Sequence, residues 1–163
     1  MKDKFLWLCF TVVLVADQLS KKLALESLAE GRPVSIVEGL FNLTLVYNPG
    51  AAFGMFAGLP DTQRRVTLLF VAFLALLAVF YMLRDTKGDR ISQIALVCIL
   101  GGAIGNIVDR FRFDAVVDFL DFYWGAYHWP AFNIADSAIC LGVAVLMFRM
   151  LFPAKGSEII NPS

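Results

Sequence analysis

The chain has 163 residues, 59% of them hydrophobic and 17% charged, with no formal net charge at neutral pH and a mean hydropathy of +0.71. A soluble domain of this size carries about 25% charged residues, and here the apolar excess is gathered into blocks, which excludes a soluble globular domain and indicates a small polytopic membrane protein. Zero net charge offers no footprint for nucleic acid.

The opening "MKDKFLWLCFTVVLVADQLSKK" has the lysine-then-apolar order of a secretory signal. No small-x-small cleavage site follows, so it reads as a retained first helix. Its charge-free core, Phe5–Ala16, is 12 residues long and reaches spanning length only with Asp17 inside the helix. Residues 26–64 then form a long connection. Within it "FNLTLVYN" (41–48) sets Phe41, Leu43, Leu45 and Tyr47 against Asn42, Thr44, Val46 and Asn48, the period of a strand. Turns at Gly31-Arg32-Pro33 and Glu38-Gly39 precede it and "NPGAAFG" (48–54) ends it, which predicts a small sheet outside the membrane.

Val66–Leu83 and Ile91–Val108 each run 18 residues without a charge, enough for a membrane helix. The short turn "RDTKGDR" (84–90) joins them. A second long connection, 111–131, is crowded with aromatics, Trp124 and Trp129 among them, as suits the bilayer interface. The last apolar block, Ser137–Phe148, spans only if Asp136 lies inside its helix. The expected fold is therefore an all-α membrane protein with four transmembrane helices, at about 5–25, 66–84, 91–110 and 133–152, plus a small extracytoplasmic β-sheet from about 31–56, in a single domain. Lys2, Lys4, Arg84, Lys87, Arg90, Arg149 and Lys155 balance Lys21, Lys22, Arg32, Arg64, Arg65, Arg110 and Arg112 across the membrane. Setting Lys21 and Arg110 aside as members of a buried site tips the bias toward cytoplasmic termini.

An aspartate inside a membrane helix is costly, ~2.5–3.5 kcal/mol at its centre. With four spans the awkward polar residues fall at one face. Asp17 and Lys21 lie at the outgoing end of the first helix, with Asn106, Asp109 and Arg110 at that of the third. Asn133 and Asp136 open the fourth, and Asn48 and Asp118 belong to the two connections. Helix-end ion pairs and dipole matching would explain some of these singly; their convergence points to a site. Gly101 and Gly105 have the spacing of close helix packing. Cys9, Cys98 and Cys140 are scattered through apolar runs, as core fillers are. His128 stands alone, no metal-ligand spacing is present, and no cofactor is called for.

Carboxylates are the abundant reactive groups: Asp109, Asp114, Asp118, Asp121 and Asp136. Two brought together cannot both ionise easily, so one keeps a proton for a carbonyl oxygen while the other takes one from water. That chemistry is peptide hydrolysis without metal, and the residues alone leave the pair unselected. A Ser–Lys peptidase using Ser20 or Ser137 with Lys21 is an alternative, as is a small transporter carrying cations on Asp17 and Asp136. The contexts "LWLC", "ALVC" and "SAIC" argue against the chain being itself a lipoprotein.

"DQLSK" (17–21), "YNPGAAFG" (47–54), "GGAIGNIVDR" (101–110), "VVDF" (116–119) and "FNIADS" (132–137) resemble, in order, the signature blocks of lipoprotein signal peptidase, the bacterial signal peptidase II family. The resemblance implies a membrane aspartic endopeptidase that cleaves diacylglyceryl-modified prolipoproteins just before the lipidated cysteine. It implies Asp118 and Asp136 as the catalytic pair, with Asn48, Asn106, Arg110 and Asn133 holding substrate or positioning the pair. Asp17, Lys21 and Asp109 would give structural support. It also implies globomycin-type inhibitors and a place in the bacterial inner membrane with the site near the periplasmic face; membrane lipid is a further expected partner, and nothing in the sequence demands more than a monomer.

Overall fold

The computed structural model describes residues 3–50, 55, 56, 58–86 and 88–152. Four long helices and a small antiparallel sheet make up the fold. Helix α1 is Lys4–Ser27, α2 is Asp61–Asp85, α3 is Arg90–Phe113 and α4 is Ile134–Leu151. The strands are β1 (Val34–Val37), β2 (Phe41–Asn48), β3 (Val116–Trp124) and β4 (Tyr127–His128), paired in the order β1-β2-β3-β4. The expected strand at 41–48 is β2 itself. Of the segments read from sequence, Lys2, 51–54, Lys87 and the tail from 153 onward lie outside the described residues.

Among the described residues three helices, α2, α3 and α4, are long and apolar enough to cross a membrane. Helix α1 is as long, but Asp17, Lys21 and Lys22 interrupt its apolar run. Only 11% of the apolar stretch of α2 is buried within the protein, against 50% for α3. Helix α3 is thus the central post. Leu96 and Val97 are fully buried, and its glycines admit neighbours at backbone range: a side chain on Gly102 would meet the carbonyl oxygen of Ala135 in α4, and one on Gly105 the carboxylate of Asp17 in α1.

The helices begin and end on local chemistry. Asp3 caps α1 by accepting from the N–H of Phe5, and Asp89 caps α3 through the N–H of Ser92. At that same end of the bundle Arg90 pairs with Asp3 and Arg149 with Asp89. Helix α3 stops at Asp114, whose left-handed backbone (φ 54) turns the chain sharply into β3.

Strand β3 corrects the reading of residues 111–131 as only an aromatic interface. It pairs with β2 so that Val46 faces Asp118 and Asn48 faces Val116, with a bulge between Leu43 and Val46. Its first half, Val116–Phe119, is buried on both sides. Trp124 and Tyr127 are exposed at the turn into β4. Beyond β4 the chain returns along β3: Phe132 donates its N–H to Leu120 and receives the N–H groups of Phe119 and Leu120. Backbone bonding thus sets the start of α4 against β3.

Candidate active site

Asp136 sits in the third position of α4, and the first turn explains why a carboxylate is tolerated there. The side-chain Oδ1 of Asn133 accepts from Asp136 N–H at 2.9 Å, and Asp136 Oδ2 accepts from Asn133 N–H at 3.3 Å. This reciprocal capping box satisfies two of the amides left open at a helix start. Asp17 of α1 adds a cap from outside, accepting the N–H of Ala135 at 2.9 Å.

Three asparagine amides then point at two carboxylates. Asn133 Nδ2 donates to Asp118 Oδ1 at 2.7 Å, Asn48 Nδ2 to Asp118 Oδ2 at 3.1 Å, and Asn106 Nδ2 to Asp136 Oδ1 at 2.7 Å. Asn48 reaches Asp118 as its diagonal neighbour across the β2–β3 ladder. Asp118 is 2% exposed, Asn133 not at all. Burial and the nearby Asp136 charge push the Asp118 carboxyl up to about 7, against the smaller opposing pull of the asparagine bonds and Lys21.

Behind Asp136 lies a buried ion cluster. Lys21 Nζ meets Asp17 Oδ2 at 2.9 Å, Asp109 Oδ2 at 2.8 Å and Asn106 Oδ1 at 2.9 Å. Gln18 Nε2 is shared among Asp17, Asp109 and the Gly105 carbonyl. Asp109 also accepts the N–H of Val117 at 3.2 Å, tying α3 to β3. Such pairs are expensive to bury, and removing one member strands the other at a cost of about 3–5 kcal/mol. Arg110 reaches the other way, donating to Asn106 O at 3.2 Å and Gly50 O at 3.1 Å. Its Nε is buried without an acceptor among the described residues.

Both carboxylates open onto a cavity of about 620 Å³, which Asn48, Asn106 and Arg110 also line. Apolar walls come from Val46, Tyr47, Trp129, Phe132 and Ile139, with Cys140 one turn past Asp136. A trough with apolar walls and two carboxyls among its lining suits a peptide carrying hydrophobic mass.

The comparisons with known proteins agree. Residues 9–152 match the family described as signal peptidase (SPase) II. The chain belongs to the signal peptidase II family. The lipoprotein signal peptidase of Desulforapulum autotrophicum is 45% identical over 148 residues, 90% of this chain and 91% of that protein. That of Nitratidesulfovibrio vulgaris is 43% identical over 151 residues, 90% and 91% of the two chains. A bacterial membrane enzyme solved by the in meso method superposes with a TM-score of 0.82 at 25% identity, covering 98% of this chain and 94% of its own. The protein is therefore a protease, and its apolar helices suit a membrane protein.

Every site residue expected from the sequence falls in the one connected network: Asp17, Lys21, Asn48, Asn106, Asp109, Arg110, Asp118, Asn133 and Asp136. The other two carboxylates of the original five stand apart. Asp114 is exposed and pairs with Arg65. Asp121 joins Asn42 and His128 on the sheet. The serine alternative loses its geometry, because Ser20 Oγ and Ser137 Oγ donate to the carbonyls of Asp17 and Asn133 while Lys21 is held by carboxylates. Gln18 was missed; its place beside Asp17 in "DQLSK" was the available signal. The Asp121–His128 link was also missed, since only strand pairing brings β4 back to β3. Among the described residues no group of three His, Cys, Asp or Glu side chains could hold a metal ion.

Proposed function

We propose that Asp118 and Asp136 are the catalytic pair of this prolipoprotein signal peptidase. As a member of its family the protein removes signal peptides from prolipoproteins; the proposal concerns how, where and on which bond. The observation that carries it is Asn133, whose side-chain amide donates to the Asp118 carboxyl at 2.7 Å while its backbone N–H donates to the Asp136 carboxyl at 3.3 Å, so one buried residue holds both.

The division of labour follows from position. Asp118 keeps a proton to about pH 7 and gives it to the oxygen of the scissile carbonyl. Asp136, ionised and hydrogen-bonded by Asn106, takes a proton from the attacking water. The tetrahedral diol collapses when Asp136 hands that proton to the leaving nitrogen and Asp118 recovers its own. The products are the signal peptide with a new carboxylate and a free amino group on the cysteine. Asn48 fixes Asp118 from β2, and Arg110, which lines the cavity, is a donor for a substrate carbonyl.

The substrate is a prolipoprotein already carrying diacylglyceryl on that cysteine, and its acyl chains lie against the apolar cavity wall and surrounding lipid. In this reading α1 is a fourth span, its charges tolerated because Asp17 and Lys21 are enclosed by protein at 0% and 2% exposure. The protein is a monomer in the bacterial inner membrane with cytoplasmic termini and a periplasmic site, and globomycin-type cyclic peptides compete with substrate.

The experiment is cleavage of a diacylglyceryl-modified prolipoprotein by purified protein in detergent, comparing wild type with Asp118→Asn and Asp136→Asn. Cleavage before the lipidated cysteine that each substitution abolishes, with folding retained, supports the pair. Substantial activity in either folded variant removes that residue from the chemistry.

A further inference from the structure

All three protons of the Lys21 ammonium are committed, and the third commitment decides which way an amide faces. Lys21 donates to Asp17, to Asp109 and, at 2.9 Å, to Asn106 Oδ1. An ammonium donates and never accepts, so Asn106 must turn its oxygen to Lys21. Its NH2 is then left facing Asp136, 2.7 Å away.

The other two amides are locked differently. Asn48 Oδ1 accepts the N–H of Gly50 at 3.1 Å, and Asn133 Oδ1 accepts the N–H of Asp136 at 2.9 Å. Both locks are backbone groups at a turn or a helix start. Asn106 lies inside α3, where backbone N–H groups are spent on the helix ladder. Its lock has to come from side chains: Lys21 of α1 supplies the shorter bond, at 2.9 Å, and Asn133 Nδ2 a longer one, at 3.3 Å.

We infer that Lys21 is a positioning residue for hydrolysis: through Asn106 it holds an amide donor against Asp136, keeping that carboxylate an acceptor for the proton of water. The inference rests on the reading of Asp136 as the base. Joining α1 to α3 needs only the Lys21–Asp109 pair, so the bond to Asn106 is surplus to a purely structural role. Were the amide to flip, its oxygen would oppose the Asp136 carboxylate, which would have to carry a proton to bond with it and could no longer take one from water.

The test is a cycle of Lys21→Met, Asn106→Leu and the double variant, with kcat and KM measured on the lipidated prolipoprotein and folding followed by thermal unfolding in detergent. Lys21→Met is expected to lower kcat about 10- to 100-fold, the usual cost of losing a residue that orients a site group, with KM changed less than about twofold. The double variant should be no worse than Asn106→Leu alone. Losses that multiply, or a loss confined to KM, overturn the inference. If Lys21→Met does not fold, the same cycle is run on an Asp109→Asn parent, which strands one carboxylate fewer. Failure to fold there too makes Lys21 a structural cation and the inference wrong. Asp136→Asn is measured alongside: activity in that variant overturns the catalytic pair itself, whereas multiplying losses with an inactive Asp136→Asn overturn Lys21 alone.

Discussion

Asn133 and Asp136 bond to each other twice across the first turn of α4, so the carboxylate assigned to chemistry is also half of a helix cap. The two duties separate by substitution. Asp136→Asn leaves an oxygen for the Asn133 N–H and removes the base, so kcat should fall about 10²- to 10⁴-fold while unfolding stability changes by less than about 1 kcal/mol. Asn133→Ala loses the cap and the Asp118 donor together, costing about 1–2 kcal/mol as well as activity. Unfolding in detergent beside turnover measures both.

Asp118 makes stability depend on pH in a defined direction. Its carboxyl titrates at about 7 in the fold against an ordinary 3.8, so folding favours the protonated form. That contribution is complete below the ordinary value and is lost as the pH rises through about 7. Asp118→Asn should therefore gain stability relative to wild type between about pH 4 and pH 8. Wild-type kcat should fall on the alkaline side of about pH 7 as the proton donor is lost. A wild-type stability curve parallel to that of the variant would contradict this.

The glycines of α3 should differ in what they tolerate. A Cβ at Gly101 would lie 3.0 Å from Phe10 O and 3.2 Å from Val13 Cβ, a strain of about 1 kcal/mol. At Gly102 it would lie 2.5 Å from Ala135 O, and at Gly105 2.4 Å from Asp17 Oδ2. Gly102→Ala and Gly105→Ala should each cost about 3 kcal/mol or more. Gly105→Ala should also cut turnover, since Asp17 displaced from Ala135 N–H frees the start of α4. Equal effects at all three positions would refute the packing argument.

The cavity predicts dependence on the lipid. Burying four chain methylenes at ~0.8 kcal/mol each corresponds to more than about 100-fold. A precursor lacking diacylglyceryl should lose at least that in kcat/KM, and equal turnover of both forms would show that the apolar wall has another purpose.

The sequence revealed most where physics is local. Charge-free runs marked α2 and α3, and alternation marked β2 to the residue. Strand β3 escaped because Val116–Phe119 is buried on both faces, which erases the period of two; its β-branched and aromatic content was the remaining cue. The polar convergence was legible because hairpin connectivity alone brings the outgoing ends of two helices to the start of a third. Which oxygen meets which donor was not, because Asn106–Asp136 and Asn48–Asp118 join residues 30 and 70 positions apart. The same holds for Asn42–Asp121, 79 apart.

The longest of these links, Asp17 to the N–H of Ala135, closes 118 residues. Emerging from the ribosome, the chain makes Asp17 early and its partner only with the last helix. Until then the carboxylates of the first and third helices have no completed enclosure, and Asp118 has no Asp136 to work with. With Asp118 and Asp136 as the proposed pair, the site is incomplete in any chain that has not yet made its last helix.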